Sequence, residues 1–171
     1  MIKILRWILN RRRDYIRKYF NRWISSGDLL NDRWTYAQKL GFGSGTSCYD
    51  NVLIIGDVQV GCNCWIGPNV ILDGSGGLKI GENVSVSAGV HIYTHHTVRR
   101  ALTSTVTTID RKETNIGSNV YIGPNSVIQM GVNIGDRCVI GALSFVNKDM
   151  PDDSVWYGNY FQKNREIKNE T

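Results

Sequence analysis

Aliphatic residues recur at intervals of six along the middle of the chain. Thirteen such positions form three runs, which are Ile54, Val60, Ile66 and Leu72; then Ile80, Val86 and Ile92; then Ile116, Ile122, Ile128, Ile134, Ile140 and Val146. Glycine directly follows more than half of them and permits a turn in those repeats. Four places after ten of the thirteen stands a second series of small or β-branched residues: Val58, Cys64, Val70, Val84, Val90, Val120, Ser126, Val132, Cys138 and Ser144.

A helix does not explain this pattern. A strict period of six fits neither the 3.6-residue helical turn nor a heptad, and each glycine inside a helix costs about 1 kcal/mol. Short strands stacked coil on coil do explain it, because alternating large and small inward side chains fill a narrow tube. The sequence therefore predicts an all-β parallel solenoid over residues 54–151. Cys64 and Cys138 fall in the small inward column, and we interpret them as packing residues.

Two interruptions stand out within the repeats. The interval from Leu72 to Ile80 is eight residues instead of six, which places a two-residue bulge within residues 73–77. A polar and basic segment separates Ile92 from Ile116, and this distance equals four repeats. We therefore expect one extended loop, residues 95–115, after which the coil resumes in register. Extended loops on a rigid scaffold often carry functional residues.

The two ends differ from the repeats. Residues 1–27 place apolar and cationic residues at helical spacing and end in Ser25-Ser26-Gly27, so they predict a basic amphipathic helix. Residues 28–53 are then a connecting or capping segment, and residues 152–171 form a C-terminal tail beyond Pro151.

Charge is distributed unevenly. Of the 20 Lys and Arg residues and 15 Asp and Glu residues, residues 1–24 hold eight cations and one carboxylate, so the rest has 12 cations against 14 carboxylates. A slightly acidic body argues against a nucleic-acid surface. No apolar run is long enough to span a bilayer, and Arg11–Arg13 follow the apolar Ile8-Leu9, unlike the order in a secretory signal. We expect a cytoplasmic protein.

The repeat resembles the hexapeptide-repeat acyltransferases. The pattern Ile-Gly-x-x-Val-x covers residues 54–148, and the stretches Val84–His96 and Asn115–Pro151 resemble maltose, galactoside and nodulation-factor O-acetyltransferases and relatives in surface-polysaccharide synthesis. The resemblance implies a left-handed parallel β-helix with three six-residue strands per coil. It also implies a homotrimer, acetyl-CoA as donor at subunit interfaces, a sugar or glycan acceptor, and no metal.

Transfer of an acetyl group to a hydroxyl needs a base, and histidine, with an unperturbed pKa of about 6.5, suits that role. All three histidines, His91, His95 and His96, lie where the coil meets the loop. The resemblance places a catalytic histidine at the start of this loop, which His95 and His96 both match. If the coil stays regular past Ile92, His96 points inward and His95 faces out, which favours His95. We interpret His91 as structural.

The resemblance also supplies binding residues. Coenzyme A contacts carried over by position fall on Pro124, Ala142, Asn147, Lys148, Gln162 and Arg165, while Asp73 and Tyr121 correspond to acceptor-side positions. At two places the sequence differs from the family's pattern, which affects the assignment of these binding residues. Tyr121 stands where relatives often have Trp, and Gly158-Asn159-Tyr160-Phe161 replaces a Gly-Asn-Pro-Ala motif, which leaves the tail contacts open.

Several alternatives remain. An amino-sugar or nucleotide-sugar N-acetyltransferase would use the same donor and base, and a non-catalytic scaffold would share the fold without needing a His- and Arg-rich loop. A zinc hydrase of this fold needs histidines from separated coils, which this chain lacks. Residues 1–24 either contact anionic lipid at the inner face of the membrane, or pack on the trimer or the solenoid end.

Overall fold

A computed structural model describes residues 2–24, 26–103, 109–158 and 160–162, the last three by backbone only. Three helices precede the solenoid: α1 (Ile2–Phe20), α2 (Ser26–Leu30) and α3 (Arg33–Lys39). Asp32 caps α3 by accepting a hydrogen bond from the Thr35 amide at 3.0 Å. Helix α3 buries Ala37 and packs on the first solenoid strand. Among the described residues, no helix has both the length and the apolar content to cross a membrane.

The solenoid is a three-faced parallel β-helix, which confirms the predicted all-β hexapeptide-repeat fold. Its first face stacks the following strands, with β16 antiparallel at the end: β1 (Ser47–Cys48), β3 (Trp65–Ile66), β5 (Ser85–Val86), β10 (Tyr121–Ile122), β13 (Val139–Ile140), β15 (Val155–Tyr157) and β16 (Tyr160–Gln162). Stacking thus begins before residue 54 and continues after residue 151.

The second and third faces share two long strands, β2 (Leu53–Val60) and β4 (Ile71–Ile80), which pass around one corner. The second face continues with β6 (His91–Ile92), β11 (Val127–Ile128) and β14 (Phe145–Val146). The third face continues with β9 (Thr114–Ile116) and β12 (Asn133–Ile134), and Met150 bridges to Ile134. Regular neighbours lie 18 residues apart, as Ile122 and Ile140 do, so a coil holds three repeats of six.

The core is the inside of this tube. Every position of the six-residue aliphatic series is buried except Ile54, and every position of the small series is buried except Val58. Both exceptions are partly exposed and still pack against the core cluster. The predicted packing role of Cys64 and Cys138 is consistent with their position, since both are free and buried in this column.

The corners are tight turns. Asn69, Asn125 and Leu143 occupy equivalent turns between the first and second faces, and all three adopt a left-handed backbone with φ near +57°. Gly123 is required at this corner because a Cβ there would lie 2.4 Å from the amide nitrogen of Ala142 in the next coil.

Both predicted interruptions are present at the corner between the second and third faces. The pairing of β2 with β4 shifts by two residues between Gly56 and Val58, which is the bulge expected within residues 73–77. After β6 the chain leaves the coil in a hairpin of β7 (His95–His96) and β8 (Asp110–Arg111), with helix α4 (Val98–Thr103) after β7. The register resumes as predicted, because Ile92 pairs with Ile128 and Ile80 with Ile116.

Candidate active site

The bulge and the hairpin meet at one corner, between the second and third faces. Leu72 pairs with Ile92, so Asp73 and the bulge lie in the coil directly beneath Thr94 and His95. Thr94 joins the two levels, since its hydroxyl donates to the Asp73 carbonyl at 2.8 Å and accepts from the Gly76 amide at 2.8 Å. The two irregularities therefore form a single structural unit.

Asp73 binds His95 at this corner. The Asp73 carboxylate is fully buried, and its Oδ2 lies 2.6 Å from Nδ1 of His95. Oδ2 also accepts a hydrogen bond from the Thr94 amide at 2.8 Å, and Oδ1 accepts one from the Ser75 amide at 3.0 Å. The His95 side chain keeps 29% of its surface exposed, so the ring is both bound to Asp73 and partly accessible.

These contacts keep the buried carboxylate ionised. Burial alone would raise the pKa of Asp73, but hydrogen bonds from Ser75, Thr94 and His95 outweigh it and lower the pKa to about 2. An ionised Asp73 can only accept hydrogen bonds, so Nδ1 of His95 carries the proton and donates it. In a neutral ring of this tautomer, the other nitrogen, Nε2, holds the lone pair that can accept a proton.

His96 lies beside His95 in the same short strand but has a different environment. Its Nδ1 is 3.6 Å from Oδ2 of Asp110, too long for a hydrogen bond, and Asp110 is also 3.6 Å from the guanidinium of Arg99. Within the described part of the chain, this Nδ1 makes no hydrogen bond. Asp73 therefore orients His95 more firmly than Asp110 orients His96.

The register premise used to separate the two histidines is wrong. The coil does not continue regularly past Ile92: Thr94 is the last fully buried residue, and both histidines lie in the hairpin with partly exposed side chains. The chain leaves the coil after Thr94, two residues before His96. The Lys112 amide donates a hydrogen bond to the Thr94 carbonyl at 2.9 Å and so closes the base of the loop there. His95 is distinguished instead by its contact with Asp73.

The residues assigned to coenzyme A lie at two different corners. Asn147 and Lys148 are exposed at the same corner as His95, two coils further along, because Ile92, Ile128 and Val146 stack on one another. Pro124 and Ala142 lie on neighbouring coils at the corner between the first and second faces. One face of the solenoid thus separates the two pairs.

The remaining assigned residues lie elsewhere. Tyr121 projects from the first face with 43% of its surface exposed, so the structure does not bring it beside His95 within one chain. Gln162 belongs to β16, which pairs with β15, and only its backbone is described. Arg165 lies outside the described residues. In the described ranges, no three His, Cys, Asp or Glu side chains are grouped as metal ligands would be.

Sequence reasoning named Asp73 and His95 but not the residues that join them. Ser75 and Thr94 supply hydrogen bonds to the carboxylate, and no role was predicted for either, although Thr94 lies in the stretch Val84–His96. The two extra residues after Leu72 could have indicated the contact. If Leu72 is aligned with Ile92 in the next coil, Asp73 falls directly beneath the start of the loop. Asp73 was predicted at the acceptor, and in the structure its carboxylate binds Ser75, Thr94 and His95.

Known proteins share this repeat. The model described as "Bacterial transferase hexapeptide (six repeats)" matches residues 113–148, and "Hexapeptide repeat of succinyl-transferase" matches residues 52–94. Galactoside O-acetyltransferase from Escherichia coli (strain K12) is 36% identical over 112 residues, which are 65% of this chain and 55% of that protein. The chain thus carries the hexapeptide repeat and is similar to hexapeptide-repeat acyltransferases. It spans only about half the length of that relative.

Solved structures of similar acetyltransferases have the same fold. A hexapeptide-repeat acetyltransferase from Vibrio cholerae superimposes with a TM-score of 0.62 at 26% identity, covering 98% of this chain and 93% of that one. The same protein has also been solved with acetyl coenzyme A, at a TM-score of 0.54 and 25% identity, covering 98% and 90%. A maltose O-acetyltransferase from Clostridium difficile 630 gives 0.56 at 25% identity, covering 93% and 89%.

Proposed function

We propose that this protein is an O-acetyltransferase that moves an acetyl group from acetyl-CoA to a sugar hydroxyl. The contact between Asp73 and His95 carries the proposal, because it orients a partly exposed imidazole with Nδ1 against the carboxylate, so that Nε2 serves as the base. Similarity to an E. coli galactoside O-acetyltransferase, and to a Vibrio acetyltransferase solved with acetyl coenzyme A, supports the reaction class.

In the proposed reaction, Nε2 of His95 takes the hydroxyl proton as the sugar oxygen attacks the thioester carbonyl. The carbon–sulfur bond then breaks, the acetyl ester remains on the sugar, and the coenzyme A thiolate leaves. The imidazolium returns its proton to that thiolate, so the base is regenerated and no covalent enzyme intermediate is needed. Asp73 acts as a positioning residue, since it fixes the ring and stabilises its positive charge.

Coenzyme A is proposed to lie along the corner that carries His95. Adjacent strands are about 4.8 Å apart, so Asn147 and Lys148, two coils on, are about 10 Å from the level of His95. That separation lets a donor lie along the solenoid axis with its thioester at His95 and its phosphates at the exposed Lys148.

A homotrimer accounts for the second set of proposed donor contacts. Pro124 and Ala142 lie one face away from His95, and a six-residue side is up to about 20 Å long. If copies meet corner to corner, Pro124 and Ala142 of one copy approach His95 of the next, and both sets contact one donor. Tyr121, exposed on the first face, is proposed to contact the acceptor in the same assembly.

The acceptor is proposed to be a glycan or its precursor in cell-envelope polysaccharide assembly, at the inner face of the membrane. The test is a panel of mono- and oligosaccharides, nucleotide sugars and amino sugars, incubated with acetyl-CoA and assayed for coenzyme A release. Products are then treated with hydroxylamine, which cleaves esters and leaves amides intact. Release with a hydroxylamine-sensitive product supports the proposal.

Two results would replace it. A hydroxylamine-resistant product on amino sugars alone would make the protein an N-acetyltransferase, which uses the same base and donor. Absence of coenzyme A release across the panel, together with no binding of acetyl-CoA by calorimetry, would reduce the solenoid to a scaffold. The contact between the buried Asp73 and His95 favours catalysis, because it orients a partly exposed imidazole that a scaffold would not need.

A further inference from the structure

Helix α1 exposes an unusual amount of apolar surface. None of its residues is buried, and Ile2, Ile4 and Trp7 are 73%, 65% and 58% exposed. Apolar residues of this size are normally covered, and a contiguous exposed set indicates an interaction surface. The solenoid core is complete without them, since the core cluster begins at Ala37.

Most apolar and cationic residues of α1 lie on different sides. At 100° per residue, one side carries Ile4, Leu5, Ile8, Tyr15 and Tyr19. The opposite side carries the cations Lys3, Arg6, Arg13 and Arg17, with Trp7 beside them. Arg11 and Lys18 flank the apolar side next to Ile4, and Arg12 falls within it. An apolar stripe flanked by Lys and Arg is the arrangement of helices that lie in the plane of a membrane surface.

The C-terminal part of α1 is fixed to the rest of the protein. Ile16 and Phe20 line a cleft of about 320 Å³ together with Trp34 and Tyr49, next to α2 and α3. Arg13 also donates a 3.4 Å hydrogen bond to the Ser26 hydroxyl. These contacts involve the second half of α1. The apolar side of its first two turns is exposed, and Leu5 and Ile8 there are about half exposed.

We infer that α1 docks on a bilayer that contains anionic phospholipids, with Ile4, Leu5 and Ile8 inserted among the acyl chains. Charge complementarity selects this partner: residues 1–24 hold eight cations, whereas the rest of the chain is slightly acidic. Cations stacked on aromatic rings, Arg11 on Trp7 and Arg17 on Trp23, suit the headgroup region, where amphipathic side chains concentrate. Nucleic acid would not cover the apolar side, and a second copy of α1 would bring like charges together.

The proposal is independent of the transfer reaction, because its readout is binding. The full chain is mixed with vesicles of phosphatidylcholine alone, or with about one third phosphatidylglycerol, and floated on a density gradient. The wild-type protein is expected to float with the anionic vesicles, to stay behind with the neutral ones, and to be released by high salt.

Two matched pairs of variants locate the surface. Ile8→Glu changes the apolar side of α1, and Lys18→Glu changes a cation that flanks it. Leu30→Glu and Lys39→Glu make the same kinds of change at exposed positions of α2 and α3. We expect the two α1 variants to lower the floated fraction roughly five-fold or more, and their partners to behave as wild type. Circular dichroism and light scattering confirm that each variant keeps the fold and the oligomeric state.

Three outcomes would overturn the proposal. The first is flotation that is equal for wild type, Ile8→Glu and Lys18→Glu. The second is failure of the wild type to float with anionic vesicles. The third is a change of oligomeric state in Ile8→Glu, which would mean that α1 packs on another copy of the chain.

Discussion

The ring nitrogen Nδ1 of His95 lies 2.6 Å from Oδ2 of Asp73, although the two residues are 22 positions apart. The contact exists because two departures from the six-residue repeat coincide. The bulge after Leu72 lets Asp73 turn toward the corner, and the coil above opens at Thr94. A regular coil at either level would have pointed one of the two side chains elsewhere.

Replacing Asp73 with Asn is expected to lower kcat for acetyl transfer about 100-fold, while KM for acetyl-CoA changes little. Each carboxylate oxygen accepts a hydrogen bond from a backbone N–H, one from Ser75 and one from Thr94. The side-chain NH₂ of Asn would therefore have to face one of these N–H donors. The His95 ring then loses its fixed tautomer. Steady-state kinetics check this, with Asp57→Asn, an exposed position on β2, as the control. A parallel rise in KM with unchanged kcat would contradict the positioning role.

Acid should weaken the fold in part through Asp73. Its pKa is lowered from 3.8 to about 2 in the folded state, so its stabilising contribution is present above pH 4 and is lost as the pH falls toward 2. At about 1.4 kcal/mol per pKa unit, the contribution is on the order of 2 kcal/mol. Urea unfolding between pH 6 and pH 2.5 checks it. Wild type should lose more free energy of unfolding than Asp73→Asn, and equal losses would contradict the lowered pKa.

Leu143 occupies a turn that disfavours its side chain. Its φ is 57°, and the equivalent turns of the preceding coils carry Asn69, Gly89 and Asn125, residues that tolerate this backbone. Its side chain is 75% exposed, so little packing offsets the strain. Leu143→Asn is expected to raise the free energy of unfolding by about 1 kcal/mol. The reverse change, Asn125→Leu, should lower it by a similar amount, and a stability loss in Leu143→Asn would show that the leucine makes a stabilising contact.

Lys148 provides a test of where the donor lies. Removing its charge in Lys148→Ala should raise KM for acetyl-CoA about ten-fold, because a charge-assisted hydrogen bond to phosphate contributes about 1.5 to 3 kcal/mol. The value of kcat at saturating donor should stay near that of wild type. Lys79→Ala, an exposed lysine on the third face, is the matched control and should leave KM unchanged. Equal KM values for both variants would exclude the corner of His95 as the phosphate site.

The fold could be predicted from the sequence because its information is local. Each repeat carries its own aliphatic residue, small residue and turn, so Ile122 and Val120 specify the coil without reference to distant residues. Even the two interruptions were visible as departures from a count of six.

The site was predictable only in part. The sequence placed His95 at the start of the loop, but the link to Asp73 depends on how two irregular segments meet, and no periodicity encodes that. The register argument failed because it assumed regularity at the point where the hydrogen bonds of Thr94 end the coil. Tyr121 and Pro124 illustrate a further limit, since their proposed roles depend on a neighbouring copy of the chain.

The most direct test of the account compares the turnover of His95→Ala and His96→Ala with that of wild type, on the best acceptor of the panel and at saturating acetyl-CoA. The account predicts a fall in kcat of about 100-fold or more for His95→Ala, with a much smaller change for His96→Ala. Both variants should still bind acetyl-CoA by calorimetry. Near-wild-type turnover in His95→Ala, or a large loss confined to His96→Ala, would contradict it.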